Sequence, residues 1–174
     1  MAFHHVAVAT RDLESSHRFY TEAMGFELAK VVTGKTPEGG WSKHLFYETG
    51  GDGLMAIWEL HDESLDADWS PAISTGLGLP IWANHLAFDA RDPETLEVAK
   101  RRWLSAGHDV MEVDHGFCIS LYTRDPNGIM VEWCLTTREF TDADREEAQR
   151  RLVDATPEFE SPPPSRVYRA ADAR

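Results

Sequence analysis

Apolar and polar residues alternate through His5-Val-Ala-Val-Ala, and the alternation stops at Arg11-Asp12. This pattern predicts a strand at 4–9. Asp12 suits a helix N-cap, because its carboxylate accepts backbone N–H groups that have no partner inside the helix. A helix is expected at about 13–24, with Phe19 and Tyr20 on its apolar stripe and Gly25 as its stop. Strands follow at about 27–32, 43–49 and 53–60. The same order then recurs. A strand at 84–89 leads to Asp92 and to Pro93, whose fixed φ suits the first helical position. A helix at 93–106 carries Leu96, Val98, Ala99, Trp103 and Leu104 and stops at Gly107. Strands close the series at 109–113, 117–123 and 129–135.

The recurrence is a repeat of sequence as well as of pattern. His5 to Glu14 aligns without gaps on His85 to Glu94, an offset of 80. Gly53-Leu-Met-Ala-Ile-Trp-Glu-Leu60 lies over Gly128-Ile-Met-Val-Glu-Trp-Cys-Leu135 at an offset of 75, where Tyr47 falls on Tyr122 and Ile57 on Glu132. The fold class expected is α+β, with two tandem βαβββ modules forming a half-open barrel around a metal site. The modules span 1–61 and 83–137. The linker 62–82 reads as a loop, with Pro71, Gly76, Gly78 and Pro80. The remainder, 138–174, holds an acidic helix at about 141–154 and a Pro162-Pro163-Pro164 tail whose last dozen residues are expected to be loose. Exposed sheet edges favour a homodimer.

Composition narrows the function classes. Apolar residues make up 42% of the 174, enough for a core without staples. A net charge of −13 argues against nucleic acid, which needs a positive surface. Cys118 and Cys134 suggest no disulfide framework. No apolar run resembles a signal peptide or a membrane span, so a cytoplasmic setting is expected.

If the halves pair about a pseudo-twofold axis, His5 and His85 converge and Glu132 joins them. Two imidazoles and one carboxylate form a facial triad that leaves positions open on an octahedral metal. A Glu flanked by Val131 and Trp133 in an apolar strand must be paired or ligated, because burying a bare charge is costly. Ile57, at the matching place in the first half, binds no metal. Glu59, two residues on and expected on the same face, is the possible fourth ligand.

These residues resemble the vicinal oxygen chelate superfamily, which includes glyoxalase I, methylmalonyl-CoA epimerase, antibiotic resistance proteins and type I extradiol dioxygenases. The resemblance covers about residues 3–137. The segment from His115 to Glu132 follows the extradiol ring-cleavage signature at His115, Leu121, Tyr122, Asp125, Pro126, Gly128 and Glu132. The resemblance implies Fe(II), or less often Mn(II) or another divalent metal, held by His5, His85 and Glu132. It implies a catecholic aromatic substrate cleaved with O2, with His115 bonding to a substrate oxygen and Tyr122 orienting the catecholate. The family's further acid–base His has no match on strand 53–60, so His44 or His61 would have to serve, or that role is absent. Two alternatives stand beside this expectation. One is a glyoxalase- or epimerase-type metal-dependent lyase or isomerase, which needs Glu59. The other is a non-catalytic, resistance-type binding protein, with Trp41, Trp58, Trp82 and Trp133 available to line an aromatic cleft.

Overall fold

The computed structural model describes residues 3–156 and 158–173. Strand β1 (His5–Thr10) leads into α1 (Leu13–Arg18), which Asp12 caps by accepting from the Ser15 N–H. The helix then widens into a π-turn, Phe19–Ala23, in which the Met24 N–H donates to the carbonyl of Phe19. Gly25 ends it at φ 78°, a left-handed conformation that costs glycine little. Strands β2 (Glu27–Lys35), β3 (Trp41–Glu48) and β4 (Leu54–His61) complete the first module. The second module runs β5 (His85–Asp89), α2 (Pro93–Ser105), β6 (Val110–Asp114), β7 (Cys118–Arg124) and β8 (Met130–Thr136). Helix α2 is capped by Asp92 and buries Leu96, Ala99 and Trp103, one stripe at helical spacing. Both modules thus have the βαβββ order expected from the repeat.

Each module makes its own sheet. The first has the order β1-β4-β3-β2, the second β5-β8-β7-β6 with an added strand at its edge. In both, the first strand runs parallel to the last. The two sheets stay separate and do not close into a true barrel. One apolar core takes residues from both modules: Tyr20, Phe26, Tyr47 and Ile57 from the first, and Trp103, Leu121, Val131 and Trp133 from the second. The helix-bearing faces of the two sheets therefore share one interior.

A buried polar latch locks the modules together. Asp125, 3% exposed, accepts from the N–H groups of Asn127 and Ile129 through Oδ1 at 2.9 and 2.8 Å. Its Oδ2 accepts from the Tyr20 hydroxyl at 3.1 Å and from Asn127 Nδ2 at 3.0 Å. Asn127 reaches across to Thr10 and Ser16. The Asp-Pro-Asn-Gly turn thus plugs into the first module where β1 meets α1. Burial pushes the Asp125 carboxyl up from its ordinary value, against the hydrogen bonds that favour its charged form.

The tail differs from expectation. Helix α3 (Asp142–Leu152) starts in a capping box between Thr141 and Asp144 and buries none of its side chains. Residues 165–168, expected to be loose, form β9 (Ser165–Tyr168). This strand pairs antiparallel with β6 and covers an edge that would otherwise be open. Beyond it, Arg169 pairs with Asp109 at 2.6 Å, tying the tail to the start of β6. No helix among the described residues is long and apolar enough to cross a membrane.

Candidate functional site

Strand pairing fixes which residues correspond between modules. His5 stands beside Leu54 and His85 beside Met130, so Met130 matches Leu54 and the last strands are offset by 76, not 75. The middle strands agree, since Phe46 pairs with Ala56 as Tyr122 pairs with Glu132. Ala56, not Ile57, therefore occupies the place of Glu132. A slip of one residue moves a strand's side chains to the opposite face. Ile57 and Tyr47 point into the core, whereas Glu132 and Tyr122 lie on the open face of the second sheet. Glu59 shares the core-side face of its strand with Ile57. It pairs there with Lys43 at 2.9 Å and His61 at 3.2 Å. Burial raises the Glu59 carboxyl, but these two partners outweigh it and hold it below its ordinary value. Glu59 is thus on the wrong face for a fourth ligand, and so is its partner His61.

The open face of the second sheet gathers four of the expected residues. His85 Nε2 lies 3.1 Å from Glu132 Oε2, and the other carboxylate oxygen accepts from Ser120 Oγ at 2.5 Å. His85 Nδ1 faces the Trp82 carbonyl at 3.0 Å, a bond that orients the ring toward Glu132. Tyr122 stands across from Glu132, and its hydroxyl meets His115 Nε2 at 3.1 Å. His115 sits in the turn before β7, so the odd spacing does not separate it from Tyr122. Burial first, then the charge of Glu132, pushes the Tyr122 phenol up to about 12. Cys118 and Cys134 flank Ser120 on the same face.

His5 is not part of this group. Thr10, at the far end of β1, bonds to Asn127 beside the start of β8, where His85 also lies. Arg91, just past β5, reaches the Gly50 carbonyl in the turn next to His5. The two histidines therefore lie toward opposite ends of the junction between β1 and β5. Among the described residues, no three His, Cys, Asp or Glu side chains are placed to hold a metal ion. The His85–Glu132 pair has the donor chemistry and the orienting Trp82 bond of a metal half-site. The full triad does not fit a metal within one chain.

His5 lies instead on the open face of the first sheet, among aromatic rings. It is 5.6 Å from Phe46 and 6.1 Å from His44 by ring centroids. His44 stacks on Trp58 at 3.7 Å and 11°. Burial, then the neighbouring His5, lowers the pKa of His44 from its ordinary value and favours a neutral ring. Of the other tryptophans singled out above, Trp41 stacks on His61, Trp82 is exposed on the linker and Trp133 is in the core. Sequence reasoning missed Ser120 and the His44–Trp58 stack. Both follow from period-two spacing, with Ser120 two residues before Tyr122 and His44 two before Phe46.

The model of the glyoxalase/bleomycin resistance protein/dioxygenase superfamily matches residues 2–133. The chain belongs to this superfamily. A glyoxylase/bleomycin resistance protein/dioxygenase domain from Frankia sp. EAN1pec is 26% identical, with a TM-score of 0.57 over 76% of this chain and 94% of that one. A lactoylglutathione lyase from Agrobacterium tumefaciens is 25% identical, with a TM-score of 0.51 over 77% and 92%. An antibiotic-binding protein from Streptomyces sp. CB03234 shares the fold at 17% identity, with a TM-score of 0.53 over 79% and 97%. No curated protein matches the chain.

Proposed function

We propose that this protein binds a small organic molecule without transforming it, in the manner of the superfamily's resistance proteins. The observation that carries this reading is the separation of His5 from His85 and Glu132, together with the pairing of Glu59 with Lys43 and His61 on the other face. A lyase or isomerase of the glyoxalase kind needs a further carboxylate at the metal, and the first sheet's open face presents Ala56 there. The same face offers an aromatic surface of His5, His44, Phe46 and Trp58. A flat ligand gains there from apolar burial and ring stacking.

A second reading is favoured by the His85–Glu132 pair and its bond to Trp82. In a homodimer whose second copy brings its own His5 to this pair, the full donor set for Fe(II) or Mn(II) is assembled. His115 and Tyr122 then stand beside it for extradiol or lyase chemistry. Anaerobic Fe(II) loading, followed by a catechol panel and oxygen electrode traces, separates the two. The binding reading predicts no oxygen uptake above the Glu132→Ala variant. Sustained uptake that Glu132→Ala abolishes would replace it with the dioxygenase.

A further inference from the structure

The open face of the first sheet differs from its counterpart in a way that specifies a ligand. At the positions of Ser120, Tyr122, Glu132 and Cys134 it carries His44, Phe46, Ala56 and Trp58. The polar and acidic set of one sheet is replaced by rings in the other. His44 packs between Trp58 at 3.7 Å and Phe46 at 4.1 Å. Its Nε2 is sealed from solvent without a hydrogen-bond partner. A sealed lone pair costs less than a sealed N–H, so the neutral ring carries its proton on Nδ1. The two packed rings fix the imidazole plane, and the buried nitrogen fixes the tautomer. The result is a pre-oriented N–H donor beside the half-buried rings of Phe46 and Trp58 and the exposed ring of His5. Val32 pairs with His44 and Lys30 with Phe46, so both border this surface.

We infer that His44 and Trp58 form a recognition pair for a planar aromatic compound bearing an oxygen acceptor, such as a quinone or aryl ketone. This rests on the binding reading above and names its ligand class. Trp58 supplies the stacking surface, which does not discriminate among flat rings. His44 Nδ1–H supplies the discrimination, because a compound without the acceptor leaves the donor unmatched. One hydrogen bond of this kind is worth about tenfold in affinity.

The test compares two probes with the same ring skeleton and charge, anthraquinone monosulfonate and anthracene monosulfonate. Each is titrated into the full chain while the Trp58 indole N–H signal is followed by NMR. The wild type is expected to bind the quinone about tenfold more tightly. His44→Phe keeps a ring against Trp58 but has no N–H, and should erase the preference for the quinone over the hydrocarbon. His44→Gln restores a donor and should recover part of it. Trp58→Ala should weaken both probes together. Thermal melts establish that each variant is folded, and His44→Ala replaces His44→Phe if the latter is not. Equal affinities in the wild type, or a preference that persists in His44→Phe, would overturn the inference and leave the binding reading intact. If neither probe moves the Trp58 signal at millimolar concentration, both fall.

Discussion

The Asp125 latch makes a prediction about what the Asp-Pro-Asn-Gly motif does. Asp125→Ala removes the acceptor of four hydrogen bonds, two from backbone N–H groups and one each from Tyr20 and Asn127. At about 1 kcal/mol for each bond lost in a buried setting, the cost is about 4 kcal/mol. Domains of this kind are stable by only about 5–15 kcal/mol, so the variant should be marginal. Its melting temperature should fall by about 12 °C. The assay is urea unfolding followed by tryptophan fluorescence, with Tyr20→Phe as the second arm of a double-mutant cycle. The cycle should show a coupling of about 1 kcal/mol, because these two residues join different modules. The pH dependence gives an independent check. Burial raises the Asp125 carboxyl in the folded state, so its stabilising contribution is complete below the ordinary carboxylate pKa and is lost as pH rises through the raised value. The wild type should therefore gain stability relative to Asp125→Asn as pH falls from neutral toward that range. An Asp125→Ala variant that melts within about 2 °C of the wild type would refute the latch.

Three further outcomes are expected. Glu59→Gln should leave ligand binding unchanged and shift stability by less than about 1 kcal/mol, since its ion pairs are partly exposed. In an ultraviolet titration of the tyrosines, Tyr47 and Tyr122 should ionise only near pH 12, and Tyr122→Phe should remove one of these late steps. Truncation before Pro162 deletes β9 and the Arg169–Asp109 pair, which should lower stability by about 2 kcal/mol and promote association through the uncovered edge of β6.

The repeat made the fold legible. Asp12 and Asp92 mark both helix starts by the same capping chemistry, and the period-two strands place both sheets within two or three residues. The site was legible only in part, because face assignment depends on exact register. The matched Gly53 and Gly128 drew the alignment to 75, but the two turns enter their strands one residue out of step. That slip put Glu59 on the wrong face and paired Glu132 with Ile57. The convergence of His5 with His85 failed for a different reason. A twofold relation between modules does not say which faces meet, and here the shared core of Phe26, Phe88 and Trp133 turns the helix sides inward. The tail was misread because Arg166-Val-Tyr168 is too short to signal a strand without the β6 edge it joins.

On the proposed binding reading, the ligand sits on the aromatic face of the first sheet and needs neither a metal nor the His85–Glu132 pair. Titration of anthraquinone monosulfonate into chelator-treated wild type and into chelator-treated Glu132→Ala tests it directly. The same affinity is expected in both, and in untreated protein. Binding that disappears on chelation and returns with a divalent metal only when Glu132 is present would contradict it.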